Sequence, residues 1–134
     1  DNNGNKMPYR ILLPIDYDCS KKYPLLVFLH GSGERGDDNE AQLKHGASLF
    51  LEESTRKNFQ SIVVFPQCPS GESWSSMESD STGKWDFPFT QEPSKQMKLL
   101  SGLLSELMVN NCVDEQKVYL GGLSMGAFGI LEWT

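Results

Sequence analysis

Two unbroken apolar runs, Leu25-Leu26-Val27-Phe28-Leu29 and Ile62-Val63-Val64-Phe65, limit the fold of this chain more than any other feature. A run without polar alternation suits a strand buried on both faces, which is the habit of parallel sheets. Parallel neighbours cannot be joined by a hairpin and need a crossover, usually a helix. The rest of the chain supplies such crossovers. Tyr9 to Leu13 reads as a short strand stopped by Pro14, and Ile15 to Lys22 as a turn-rich connector. After a loop from His30 to Asn39, the stretch Glu40 to Ser54 sets Leu43, Ala47, Phe50 and Leu51 at helical spacing. Gln67 to Gln91 is a long connection rich in Ser, Gly and Pro, and Pro93 to Asn110 is the clearest helix, with Leu99, Leu100, Leu103, Leu104, Leu107 and Met108 on one face. Lys117 to Leu120 gives a third core strand, followed by Gly121-Gly122 and a helix-like stretch from Met125. Alternation of this kind predicts an α/β fold, a mainly parallel sheet with helices on both faces.

Composition narrows the function by exclusion. The 134 residues suffice for one domain, and a net charge of −6 without any basic run argues against a nucleic-acid partner. The longest apolar run is far too short for a membrane span. Cys19, Cys68 and Cys112 are widely spaced, with no Cys-x-x-Cys or Cys/His ligand pattern, so neither a metal site nor a cofactor is implied. The odd count leaves at least one thiol unpaired; the spacing favours partly buried small residues and leaves one disulfide open.

Chemistry concentrates in two turns. Gly122-Leu123-Ser124-Met125-Gly126 is a G-x-S-x-G pattern between a strand and a helix, the context of a nucleophile elbow. A serine there projects its hydroxyl from a strained turn, small neighbours let strand and helix crowd together, and the helix N-terminus favours developing negative charge. The second turn, His30-Gly31-Ser32-Gly33, directly follows the first apolar run. Acyl transfer passes through an oxyanion that needs preorganised N–H donors. The expected donors are the N–H of Met125 and that of Ser32, with Gly33 as the alternative, while His30 and Gly31 support the loop. Each turn alone fits a plain Gly-rich connection; the pair, each after the right kind of strand, points to a hydrolase.

The string from Tyr23 through His30-Gly31-Ser32-Gly33-Glu34-Arg35-Gly36 resembles the esterase branch of the α/β-hydrolase superfamily, which includes phospholipase/carboxylesterase-like, poly-hydroxyalkanoate depolymerase-like and feruloyl or acetyl-xylan esterase-like enzymes. Val113-Asp114 with Lys117 to Gly126, and Pro66-Gln67-Cys68-Pro69 followed by Trp74, resemble the same branch. The resemblance implies a Ser–acid–His triad in that chain order, and a small-molecule or polysaccharide-linked ester as substrate. After Ser124, however, the sole acid is Glu132 and no His follows. His30 belongs to the oxyanion loop, and His45 reads as an ordinary polar residue. The expectation is therefore that residues 1–134 form the N-terminal portion of a single α/β-hydrolase domain, cut after the elbow and inactive without its remainder. That remainder, or a self-associated dimer, would cover the sheet edge. Analogy favours a periplasmic or secreted setting, with a cytoplasmic one left open.

Several features stay open at this level. Trp74, Trp85 and Phe87 either line a substrate pocket or anchor the long loop, and Glu34, Arg35, Asp37 and Asp38 read as loop-stabilising charges. Rival readings are a serine peptidase of the prolyl-peptidase-like type and a non-catalytic module that keeps the fold.

Overall fold

A computed structural model describes residues 3–86 and 92–133. The apolar runs become β2 (Tyr23–Leu29) and β3 (Ile62–Pro66), which pair in parallel. β1 (Tyr9–Leu12) lies antiparallel on the outer side of β3. The last strand of the chain, β6 (Val113–Gly122), lies parallel to β2 on its other side, so the sheet order is β1-β3-β2-β6. The expected mainly parallel sheet is thus present, with one antiparallel edge.

Side chains alternate across this sheet and build a core on each face. Leu25, Val27, Leu29, Ile62 and Val64 meet Met97, Leu100, Leu103, Leu104 and Leu107 of the long helix α3 (Lys95–Asn110), with Ile130 and Trp133 of α4 (Met125–Trp133) against the same cluster. The opposite face is smaller. There Val63 and Phe65, with Leu26 and Phe28, pack on Ala47 and Phe50 of α1 (Ala47–Leu51). Phe28, Phe50 and Phe65 contact one another edge-on or tilted at centroid distances of 5.9 to 6.4 Å, a favourable aromatic arrangement.

Four local expectations change. The single helix over residues 40–54 is instead a 3-10 turn (Ala41–Leu43), α1 and a separate α2 (Glu53–Asn58). Gly46 at φ 94° precedes α1, and Glu52 at ψ 134° breaks α1 from α2. A Cβ on Gly46 would sit 3.0 Å from the Phe28 ring, so glycine satisfies both a left-handed turn and a close approach. The long helix starts at Lys95 rather than Pro93, because Ser94 caps it: its hydroxyl accepts from the Met97 N–H at 3.2 Å and donates to the Trp74 carbonyl at 2.7 Å. The long loop contains a small hairpin of β4 (Glu78–Ser79) and β5 (Trp85–Asp86); its other aromatics, Phe87 and Phe89, lie outside the described residues. Finally, β6 begins earlier than Lys117. Its register on β2 jumps from Tyr23↔Val113 to Leu25↔Val118, and the excess residues bulge from the pairing, with the Asp114 carboxylate accepting from the Gln116 N–H.

The cysteine expectation is corrected. Cys19 and Cys112 form a disulfide with a Cα separation of 5.4 Å, and Cys68 is a buried free thiol. The bridge joins the β1–β2 connector to the start of β6. The same corner is held by the Tyr17 hydroxyl, which accepts from the Cys112 N–H, and by the Tyr23 N–H, which donates to the Cys112 carbonyl at 2.8 Å. Spacing could not reveal this pair, because the partners lie 93 residues apart and meet only once β6 docks on β2. Closing a loop of that length removes unfolded-state entropy equivalent to about 4.6 kcal/mol in the chain-entropy account. Replacing Cys19 and Cys112 together by serine is expected to lower the unfolding free energy of the full-length protein by about 3–5 kcal/mol in urea titration, with the m-value rising as the unfolded chain expands.

Candidate active site

The sheet brings the two motif turns together. β2 and β6 run in parallel with Leu29 opposite Gly122, so both strands end at the same level. Their connections leave towards opposite faces, α1 on one side and α4 on the other. Such a crevice at the carboxyl ends of neighbouring parallel strands is where α/β sheets bind ligands.

At the end of β6 the Leu123 N–H still donates to the Leu29 carbonyl at 3.0 Å, after which the chain turns sharply. Ser124 occupies the left-handed region at φ 48°, a strained conformation for a residue with a Cβ, and its side chain is exposed. The turn closes through the Gly126 N–H to the Leu123 carbonyl at 2.8 Å, and the Phe128 N–H to the Ser124 carbonyl at 3.0 Å starts α4. The flanking glycines are required by space. A Cβ on Gly126 would lie 2.2 Å from the Leu29 carbonyl oxygen, and one on Gly122 would lie 2.8 Å from the Gly126 carbonyl carbon. Met125 is the first residue of α4, where backbone N–H groups have no partner within the helix.

The other turn lies against this elbow. The position of a Cβ on Gly31 is 3.8 Å from the Ser124 Cβ and 3.7 Å from the Leu123 carbonyl oxygen. His30 is buried and uses both ring nitrogens: the Cys68 N–H donates to Nε2 at 2.9 Å, which leaves the proton on Nδ1 to donate to the Gly31 carbonyl at 2.6 Å. Burial holds its pKa below the ordinary value, ahead of the opposing Gly31 carbonyl and Glu34 charge. Arg35 Nε donates to the Ser32 carbonyl at 3.0 Å and its guanidinium continues to the Glu72 carbonyl. With the Gly31 and Ser32 carbonyls both held and every described peptide trans, the N–H groups of Ser32 and Gly33 face away from those anchors.

Residues of the β3 exit hold the remainder of the loop. Gln67 is fully buried; its Nε2 donates to Asp38 Oδ1 at 2.8 Å and to the Glu34 carbonyl at 3.3 Å, while its Oε1 accepts from the Asn39 N–H at 2.7 Å. Asp38 also accepts from the N–H groups of Glu40 and Ala41, and these bonds lower its pKa to about 2. The sequence singled out Pro66-Gln67-Cys68-Pro69 as a string without showing this bracing role. It also read His45 as an ordinary polar residue, whereas its Nε2 lies 3.4 Å from the carboxylate of the buried Glu34.

The tryptophans separate. Trp74 has no exposed surface; its ring meets His30 edge-on at 5.4 Å, and a Cβ on Gly129 would come within 2.7 Å of the Trp74 Cβ and 3.0 Å of its carbonyl oxygen. The pocket expectation for Trp74 gives way to the anchoring one. Trp85 is 56% exposed on the hairpin, and Phe87 lies outside the described residues. Glu132 accepts from the Ser75 hydroxyl and from the Ser76 N–H at 2.7 Å, tying this loop to α4. Burial pushes the Cys68 thiol up to about 12, so it stays protonated and unreactive at neutral pH. Among the described residues no group of three or more His, Cys, Asp and Glu side chains is placed to hold a metal, and no helix is long and apolar enough to cross a membrane. A groove of about 740 Å³ between residues 3–9 and α3 touches neither turn.

Three solved structures, of two esterases, share this architecture. A thermostable esterase is 35% identical and superposes with a TM-score of 0.82 over 97% of this chain and 34% of its own. A ferulic acid esterase of the anaerobic fungus Anaeromyces mucronatus, without substrate, is 19% identical with a TM-score of 0.56, covering 90% of this chain and 45% of the esterase. The same enzyme in complex with ferulic acid gives 20% and 0.54, covering 89% and 43%. This chain therefore spans about a third of the first esterase and less than half of the fungal one. No protein-family model matches the chain, and no curated protein is significantly similar to it. The four-stranded sheet and its helices are part of an α/β-hydrolase fold.

Space around the elbow makes a sharp prediction. Gly126→Ala should destabilise the full-length protein by at least about 3 kcal/mol in denaturant titration, because backbone must move, whereas Gly33→Ala, which meets nothing within 4 Å, should change stability by less than about 1 kcal/mol. His30 predicts a pH dependence. Its folded pKa lies below the ordinary 6.5, so the unfolded chain binds the extra proton first; its contribution is intact above about pH 6.5 and is lost as pH falls from there towards the folded pKa. Urea midpoints measured between about pH 8 and pH 5 should fall for the natural protein, and His30→Gln should lower the midpoint throughout while flattening that slope.

Proposed function

We propose that this chain carries the nucleophile and oxyanion hole of a serine carboxylic ester hydrolase. The observation that supports it most is the exposed, left-handed Ser124 at the start of a helix, with Gly31 of the second turn against its Cβ. In this reading Ser124 Oγ attacks the ester carbonyl carbon as a base removes its proton. The N–H groups of Met125 and Ser32, with Gly33 as the alternative, hold the oxyanion. Collapse of that intermediate expels the alcohol and leaves an acyl-serine, which water hydrolyses. The base is assigned to a histidine outside these 134 residues, because His30 has both nitrogens engaged and His45 faces Glu34. Glu132 is likewise committed to Ser75 and Ser76, so the triad acid is also placed elsewhere.

The substrate class is a small-molecule or polysaccharide-linked ester; the small-molecule form is in keeping with the ferulic acid esterase that shares the fold. An exported setting is favoured by the Cys19–Cys112 disulfide, since such bridges persist in oxidising compartments. The test is hydrolysis of p-nitrophenyl acetate, p-nitrophenyl butyrate and a feruloyl ester by the full-length protein. Ser124→Ala should lower kcat by about 10⁴-fold or more on every ester that is turned over. Equal rates for the two proteins would remove Ser124 from the reaction.

A further inference from the structure

Glu34 is a carboxylate whose position has no explanation in the hydrolase chemistry above. Its side chain is only 9% exposed. The Glu34 N–H donates to the Gly31 carbonyl at 3.3 Å, and the side chain folds back so that Oε2 lies 3.2 Å from the Cβ position of Gly31. That same point is 3.8 Å from the Ser124 Cβ. The Glu34 carboxylate and the elbow therefore both close on the space where a Gly31 side chain would stand.

A charge so buried needs a partner. The neighbouring Arg35 directs its guanidinium to the Ser32 and Glu72 carbonyls instead. Glu34 Oε1 faces His45 Nε2 at 3.4 Å, from a side chain that is 52% exposed on the turn before α1. We propose that the Glu34–His45 pair is a positioning device for the oxyanion hole, fixing the Gly31–Ser32 peptide against Ser124 while shielding the carboxylate charge from the reacting centre. Both effects act on the transition state. A loosened loop misplaces the Ser32 N–H, and an unshielded carboxylate opposes the oxyanion that forms close by. This inference rests on the serine hydrolase reading.

The experiment uses the full-length protein with p-nitrophenyl acetate, each preparation normalised by active-site titration with a fluorophosphonate. Glu34→Gln and His45→Ala should each lower kcat about tenfold with KM within about twofold. The double variant should be no worse than either single, because both remove one interaction. His45→Lys, which places a fixed cation facing the carboxylate, should recover most of the loss, a rescue that a purely packing role would not give. His45 is half exposed, so His45→Ala and His45→Lys test the idea even where Glu34→Gln unfolds. Natural kcat in His45→Ala, losses that multiply in the double variant, or a loss carried by KM would each overturn it. Hydrolysis that survives Ser124→Ala would instead sink the hydrolase reading, so the two failures are distinguishable.

Discussion

The site depends on the pairing of Leu29 with the end of β6. The Leu29 carbonyl accepts the Leu123 N–H and lies where a Cβ on Gly126 would clash at 2.2 Å. One backbone oxygen therefore fixes the level at which β6 ends and the depth to which α4 sits on the sheet. Because β2 and β6 are parallel and in register there, the turns that follow them must emerge side by side. The strain at Ser124 follows from that crowding: with strand, helix and Leu29 all in contact, the residue between Leu123 and Met125 has only the left-handed conformation in which to turn.

The second turn owes its shape to buried polar groups more than to hydrophobic packing. His30, Gln67 and Glu34 are each 7% exposed or less, and together they hold the backbone from Gly31 to Asn39. Burying such groups is costly unless every donor and acceptor is paired, and a loop so built has one conformation or none. That rigidity suits donors that must stand ready before charge develops. The bracing comes from Gln67 and Cys68, just beyond β3, so the strand neighbouring β2 positions the loop that β2 itself delivers. The β3 exit and the β2 exit form one polar unit.

Two further ties join the site to the body of the fold. Trp74 fills the space beside His30 and Gly129, and Ser94 caps α3 while holding the Trp74 carbonyl, so the longest helix and the longest loop meet under the second turn. At the opposite end of β6, the Cys19–Cys112 bridge and Tyr17 secure the strand where it enters the sheet. The strand that carries the elbow is thus fixed at both ends by groups distant in sequence.

The sequence by itself determined the α/β class, the strands β2 and β3, the long helix and the two Gly-rich turns. Each is a local signal: an apolar run, a 3.6-residue period, or a glycine where no Cβ fits. It also held the resemblance to esterases, through strings such as His30 to Gly36 and Gly121 to Gly126. Tertiary structure decided what depends on the meeting of distant segments. The disulfide partners, the glycine turn at Gly46 against Phe28, the commitment of both His30 nitrogens, the burial of Trp74 and the pairing of Glu34 with His45 belong to that group. None has a periodicity or spacing to read, because each exists only after β3 and β6 have settled on either side of β2 and brought their exits to one end of the sheet.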